Sequence, residues 1–208
     1  MKIGLDFDNT IICYDQLFYE LAIKNGYVFP NANLGKQFIR DALRLLPDGE
    51  IAWQRLQAEV YGPKIAGGIL KDGLKNFLKE GVLRGVTFYI VSHKSRFAAQ
   101  DKDCRDDLII AALKWLVDKR IVGVGCPVDI EHVYFLPTLL DKVKKIQTLG
   151  CNFFVDDLLD TFEVTDFPST TCPILFDPHF LANRDIHFTL CHSWQDIKKK
   201  CFDVREHD

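Results

Sequence analysis

The sequence has no apolar run of the roughly 18 to 20 residues that a membrane-spanning helix needs, and no C-x-x-C pair of the kind that binds zinc. It also has no excess of positive charge, since 26 Lys and Arg stand against 29 Asp and Glu. We therefore expect neither a membrane nor a nucleic acid as a partner. The 7 cysteines are an odd number and are scattered along the chain, so we expect them to be reduced thiols. Acids near the N-terminus replace the apolar residues of a signal peptide, so we expect a cytoplasmic protein.

What the sequence does contain is enough apolar material for one globular core. Apolar residues make up 48% of the 208 residues, and charged residues make up 26%. Short apolar segments rich in β-branched and aromatic residues alternate with segments of helical period. The predicted strands cover 2–8, 86–92, 132–136, 152–157 and 173–177, and the predicted helices cover 72–85, 106–120, 138–151 and 193–201. This alternation predicts an α/β fold with a doubly wound parallel sheet.

One interval interrupts the alternation, because about sixty residues after the first strand carry helical patterns without a convincing strand. Its helical segments are 15–26, 33–46 and 50–62, separated by Pro and Gly residues. We interpret this interval as an inserted helical cap. The predicted division is a core formed by 1–13 and 71–208, with the cap at 14–70. Monomer and homodimer stay equally open.

Polar side chains follow three of the predicted strands, at the point where each strand ends. Asp6 and Asp8 end the first strand, Ser92 ends the strand at 86–92, and Asp156 and Asp157 end the strand at 152–157. Ligands of open parallel sheets bind beyond the carboxyl ends of the strands, so residues far apart in sequence meet there. We expect four carboxylates in one crevice, with Phe7 turned away into the core.

So many neighbouring carboxylates repel each other, and a bound cation commonly offsets that cost. All of the side chains on offer are oxygen ligands, with neither His nor Cys in the cluster. Such a set selects a hard ion and favours Mg²⁺ where the site meets phosphate. The sequence therefore predicts a magnesium site formed by Asp6, Asp8, Asp156 and Asp157.

These residues carry a resemblance to a known family. The run Asp6-Phe7-Asp8-Asn9-Thr10 after an apolar strand, the strand ending in Ser92, a downstream lysine and the run 154–157 (FVDD) resemble the haloacid dehalogenase superfamily of phosphohydrolases. The helical interval is similar to the cap that many members carry at that position. The segment 192–197 (HSWQDI) is similar to the closing segment of the 5'(3')-deoxyribonucleotidases, a branch of the same superfamily.

The resemblance implies roles for the acids and for Ser92. Asp6 would be the nucleophile that forms an aspartyl-phosphate, and Asp8 would be the general acid and then the general base. The backbone carbonyl of Asp8 would join Asp6 and Asp156 on the metal. Ser92 would donate a hydrogen bond to a phosphoryl oxygen. An Asp at the second position argues for phosphoester chemistry, because dehalogenase members lack it.

The family's lysine has several candidates here: Lys142, Lys144 and Lys145. The direction of the helix favours Lys142, and Lys145 is the alternative one turn later. Asn9, Thr10 and His93 are candidates for substrate contacts, with Thr10 also able to brace the loop. Lys94 stays a candidate beside His93.

The function that this pattern predicts is a Mg²⁺-dependent phosphatase acting on a small phosphorylated substrate. A nucleoside monophosphatase, suggested by the closing segment, is the alternative within enzymes. The alternative of another class is a non-catalytic module that keeps the fold and binds a phosphorylated ligand or a protein.

Overall fold

The computed structural model describes residues 1–27, 35–98, 106–181 and 188–203. In chain order their helices and strands are β1 Lys2–Leu5, β2 Ile12–Cys13, α1 Asp15–Lys24, α2 Lys36–Arg44, α3 Gly49–Tyr61, β3 Ile69–Leu70, α4 Leu74–Leu83, β4 Thr87–His93, α5 Leu108–Asp118, β5 Val133–Leu136, α6 Leu139–Leu149, β6 Phe153–Asp156, α7 Asp160–Glu163, β7 Cys172–Phe176, β8 Thr189–Cys191 and α8 Trp194–Phe202. Helices and strands mostly alternate along the chain, but three helices follow one another between residues 15 and 61, and two strands follow one another at β1–β2 and at β7–β8.

Six of these strands form one parallel sheet in the order β5-β4-β1-β6-β7-β8. The first strand lies at its centre, because Leu5 pairs with Ile90 of β4 on one side and with Val155 of β6 on the other. The predicted α/β fold with a doubly wound parallel sheet is confirmed. The sixth strand, β8, was not predicted. Its three residues are too few to show a period in the sequence.

The interval after β1 contains two short strands that the sequence analysis did not predict. Strands β2 and β3 pair antiparallel, with Ile12 opposite Leu70 and Cys13 opposite Ile69. A strand of two residues has no alternation to detect. The pair joins the two ends of the interval that carries α1, α2 and α3. The division of the chain into core and cap stays a prediction.

Side-chain caps fix the starts of the helices that follow strands β5 and β8. The hydroxyl of Thr138 accepts a hydrogen bond from the backbone amide of Asp141, and Ser193 does the same for Asp196. Helix α6 ends at Gly150, whose φ of 63° is left-handed and costs glycine little. These caps place the start of α6 beyond the carboxyl end of β5, on the side of the sheet where the acids lie.

Two further expectations concern membranes and cysteines. Within the described residues, we find no helix whose length and hydropathy would let it cross a bilayer. Six cysteines fall within the described residues, and all six are free thiols. Cys104 lies outside the described residues.

Candidate active site

The loop after β1 is fixed by a buried aromatic ring between its two acids. Phe7 is fully buried, and its ring packs edge-on against Trp115 and Phe135 at centroid distances of 5.8 and 5.7 Å. The amide of Asp6 donates to the carbonyl of Val155 over 2.9 Å, which continues the pairing of β1 with β6. With Phe7 anchored in the core, as predicted, the carboxylates on either side of it are directed to the carboxyl edge of the sheet.

Three of the four predicted acids come together at this edge. Carboxylate oxygens of Asp6, Asp156 and Asp157 lie within 4.8 Å of one another. Asp6 and Asp156 are 4% and 0% exposed. A compact set of oxygen donors, removed from water, suits a hard divalent cation such as Mg²⁺. The residues present therefore fit the ion that the sequence predicts.

Lys142 joins two of these acids directly. Its ammonium donates to Asp6 Oδ1 and to Asp156 Oδ2, at 2.6 Å each, and the residue is 1% exposed. The ammonium of Lys145 lies instead 4.4 Å from the centre of the Tyr134 ring. Of the two lysines that the sequence left open, the structure thus brings Lys142 to the acids.

The side chain of Asp8 turns to a different set of partners. Lys94 donates to both of its oxygens, at 3.0 and 2.7 Å, and the hydroxyl of Tyr14 donates to Oδ1 at 2.7 Å. Lys94 is 5% exposed. Asp6 and Asp8 therefore each have a buried lysine of their own, and the Asp8 carboxylate is separate from the compact acid cluster.

Burial and neighbouring charges push the pKa values of these acids apart. Burial raises the pKa of Asp6 well above its usual range, against the opposing charge of Lys142 and with the acids of β6 adding to the rise. Burial and the charge of Asp156 raise the pKa of Asp157 to about 6. For Asp8, burial acts in the same direction, but the charge and hydrogen bonds of Lys94 outweigh it and lower the pKa. A cation at the cluster would relieve the repulsion between the acids, which adds to the effect of burial on the pKa values of Asp6 and Asp157.

The other predicted site residues lie around this cluster in different environments. Ser92 is 1% exposed at the end of β4. Asn9 has a left-handed φ of 60°, which Asn tolerates, and its amide donates to Asp157 over 3.1 Å. Thr10 is fully buried, and its hydroxyl has no hydrogen-bond partner in the described part of the chain. His93 is exposed, with Nε2 at 3.0 Å from the carbonyl oxygen of Pro137.

Two cavities open beside the acids. A cavity of about 320 Å³ is lined by Asp8, Lys94 and His93 together with Tyr61 and Gln57 of α3. The other, about 730 Å³, is lined by further residues of the loop, of helix α2 and of the segment after β7. Its lining includes Asn9, Asp157, Lys36, Asp15 and His179. Helix α3 therefore forms part of the wall of the smaller cavity, and helix α2 forms part of the wall of the larger one.

Sequence reasoning did not link three residues of this surrounding to the acids. Tyr14, Lys36 and Tyr61 come from the inserted segment, which carries no motif, and no pattern in the sequence links them to the acids. Lys94 was considered only as a substrate contact. Its pairing with Asp8 depends on how the chain leaves β4, which the sequence does not encode in a recognisable motif.

The closing segment, which resembles that of the deoxyribonucleotidases, has structural partners. Trp194 is 1% exposed and packs against Phe77 and Phe176. His192 Nδ1 lies 2.6 Å from the carbonyl oxygen of Asp177, and Ser193 caps α8. These contacts explain the residues of the segment without a ligand.

Comparison of the sequence with family models and with curated proteins gave no match. Solved structures do match the fold. A haloacid dehalogenase-like hydrolase from Streptococcus pneumoniae superposes with a TM-score of 0.60 at 14% identity, covering 96% of this chain and 97% of that one. The chain has the haloacid dehalogenase-like fold. The resemblance noted in the sequence is confirmed at this level.

Two other solved structures match nearly the whole chain. A haloacid dehalogenase family hydrolase from Deinococcus radiodurans, solved with bound phosphate and sodium, matches with a TM-score of 0.57 at 13% identity, covering 97% of this chain and 95% of that one. Protein Tyrosine Kinase A of Mycobacterium tuberculosis matches with a TM-score of 0.62 at 14% identity, covering 96% of each chain. At such low identity the agreement concerns the fold alone.

Proposed function

We propose that this protein is a Mg²⁺-dependent phosphatase that hydrolyses a small phosphorylated metabolite through an aspartyl-phosphate on Asp6. The observation that carries the proposal is the convergence of Asp6, Asp156 and Lys142 at the carboxyl edge of a haloacid dehalogenase-like sheet. A carboxylate nucleophile needs its own charge and that of the phosphate offset. A lysine and a cation site beside the same carboxylate meet that need.

The chemistry divides into two steps at two carboxylates. A carboxylate oxygen of Asp6 attacks phosphorus and the ester P–O bond breaks. Asp8, which takes up a proton once the doubly negative phosphate lies beside it, gives that proton to the leaving oxygen. Water then attacks the phosphorus of the aspartyl-phosphate, Asp8 takes a proton from it, and inorganic phosphate leaves with Asp6 restored. Separate lysine partners for Asp6 and Asp8 support such a division of roles.

The metal would be held by the carboxylates of Asp6, Asp156 and Asp157 and by the backbone carbonyl of Asp8. When bound, Mg²⁺ offsets negative charge on the phosphoryl oxygens. Lys142 orients Asp6, and Ser92 would donate a hydrogen bond to a phosphoryl oxygen. Asn9 positions Asp157 through its hydrogen bond. The fully buried Thr10 would brace the loop, and His93 would contact the leaving group from the wall of the smaller cavity.

The inserted helices would act as a cap that limits substrate size. Helices α2 and α3 line the cavities beside the acids, so a bulky phosphoprotein would fit poorly beneath them. A small metabolite held there would be shielded from bulk water during the reaction. The bound phosphate of the Deinococcus radiodurans hydrolase supports a phosphate site in this fold.

The experiment is a phosphate-release assay with saturating Mg²⁺ on a panel of sugar phosphates, nucleotides and other small phosphomonoesters. We expect turnover by the wild type, none by Asp6→Asn, and unchanged turnover by Asp166→Asn, which alters an exposed acid. A preference for nucleotides would favour the nucleoside monophosphatase. Release of no phosphate from any compound would favour the non-catalytic module. Activity retained by Asp6→Asn would refute the covalent route.

A further inference from the structure

Lys36, the first residue of α2, brings a positive charge from the inserted helices to the acids. It lines the larger cavity together with Asn9 and Asp157. Its ammonium lies 5.5 Å from the centre of the Tyr61 ring. Its positive charge interacts electrostatically with Tyr61, Asp157 and Asp8. Lys36 is therefore part of the site's electrostatics although it lies far from every motif in the sequence.

Lys36 differs from the other two lysines of the site in its partners. The ammoniums of Lys94 and Lys142 each lie within 2.7 Å of a carboxylate oxygen. In the described ranges, no carboxylate lies within ion-pair distance of the Lys36 ammonium, and its neighbour is Tyr61, through both the ring and a side-chain hydrogen bond. A cation that has lost part of its hydration without gaining a carboxylate is favourably placed to bind an anion.

The balance of charges in the site indicates which anion Lys36 would bind. Lys94 and Lys142 offset two of the four carboxylates, and a divalent cation at the cluster would offset the other two. A phosphate monoester then adds close to two negative charges at neutral pH. Two lysines in the described residues line the larger cavity, Lys36 and Lys71, and of these Lys36 is the one among the charges that act on Asp157. Lys36 is therefore available to the phosphate. An ammonium facing phosphoryl oxygens makes charge-assisted hydrogen bonds, which are stronger than neutral ones.

We infer that Lys36, at the start of α2, binds the phosphoryl group of the substrate together with Lys142 of α6. The inference rests on the proposed function, since it concerns the same phosphate, and it adds a substrate-binding residue that the motifs do not contain. It also gives the inserted helices a role in recognising the phosphate. Lys36 and Lys142 come from helices α2 and α6, so two separate parts of the chain would contact the same phosphate.

The backbone of Lys36 is held independently of its side chain. Its amide donates to Asp15 Oδ1 over 2.8 Å, and Asp15 Oδ2 lies 3.1 Å from Nε2 of His179, in the segment after β7. Asp15 thus connects the start of α2 to the segment after β7. Because the contact uses the backbone, substitutions of the Lys36 side chain leave it in place. Loss of binding in such variants therefore reports on the ammonium.

The test is calorimetric titration of inorganic phosphate into the Mg²⁺-loaded protein, with thermal unfolding as a check on folding. Lys36→Met removes the charge, Lys36→Arg keeps it, and Lys64→Met removes the charge of an exposed lysine in the same insertion. We expect phosphate affinity to fall at least about tenfold in Lys36→Met, the size of one charge-assisted hydrogen bond. Lys36→Arg should restore most of it, and Lys64→Met should match the wild type.

Binding distinguishes this inference from the proposed function because it requires no turnover. Wild-type affinity in Lys36→Met, or no phosphate binding by the wild type, overturns the role of Lys36. Phosphate bound through Lys36 by a protein that hydrolyses no compound of the panel supports the inference and refutes the phosphatase. Turnover by the wild type, together with undiminished phosphate binding in Lys36→Met, supports the phosphatase and refutes the role of Lys36.

Discussion

The ammonium of Lys94 lies 2.7 Å from Oδ2 and 3.0 Å from Oδ1 of Asp8, in a position that is 5% exposed. Two residues earlier, Asp6 is paired with Lys142 at 2.6 Å. The acids of the first motif are therefore not equivalent. Asp6 belongs to the cluster that suits a cation. Asp8 lines the cavity beside α3, where a leaving group would depart.

The first prediction concerns Asp8 as the proton donor and acceptor. Asp8→Asn keeps the shape of the side chain but cannot transfer the proton, so kcat should fall about a hundredfold or more. Steady-state kinetics with the best substrate of the panel would measure this. KM should change less, because the carboxylate is proposed to act on the leaving oxygen. A kcat within twofold of the wild type would remove Asp8 from the mechanism.

The second prediction separates Lys142 from Lys145. Lys142→Met should lower kcat by about a hundredfold to a thousandfold, the cost of removing one group that stabilises the transition state. It should also lower the thermal stability, because Asp6 and Asp156 lose their buried partner. We expect Mg²⁺ to restore part of that stability by supplying another cation.

The matched control is Lys145→Met, whose ammonium lies over Tyr134 and not beside the acids. This variant should keep its kcat and show the same Mg²⁺ dependence as the wild type. If Lys145→Met were the inactive variant and Lys142→Met the active one, the assignment of the lysine would have to be exchanged.

The third prediction concerns the pH dependence of the contact between Asp15 and His179. The hydrogen bond to Asp15 raises the pKa of His179. Below its unfolded-state pKa of about 6.5 the full stabilisation is present, and it is lost as pH rises through the folded-state value. Asp15 stays ionised throughout, since partners including His179 and the amide of Lys36 outweigh burial and lower its pKa. His179→Ala should therefore destabilise the protein more at about pH 5.5 than at about pH 8.5.

The measurement is thermal unfolding of both proteins at the two pH values. The difference should stay below about 1 kcal/mol, because the His179 side chain is 47% exposed and solvent screens the pair. An effect of His179→Ala that is equal at both pH values, or larger at the higher one, would contradict the charged contact.

The sequence predicted the central parts of the site because strand ends carry a strong signal. An apolar run that ends in acids, as at Asp6 and Asp156, indicates both the strand and the edge of the sheet where the acids meet. Thr138, which caps the N-terminus of α6, and the direction of that helix similarly favoured Lys142 over Lys145. These inferences need only local patterns and the rules of parallel sheets.

The parts that were missed depend on contacts between segments without local patterns. Strands β2 and β8 have two and three residues, which is too short for any period. Lys36 and Tyr61 reach the acids only because three inserted helices pack in one particular arrangement. No charge pattern distinguishes Lys36 from other lysines of the chain, so its position required coordinates.

The most direct test of the central claim is a crystal structure of the protein grown with Mg²⁺ and beryllium fluoride, which mimics a phosphoryl group on a carboxylate. The account predicts a beryllium fluoride adduct on an oxygen of Asp6, one ion shared with Asp156, and Lys142 beside the adduct. An adduct on another carboxylate, or acids that diverge with no ion between them, would contradict it.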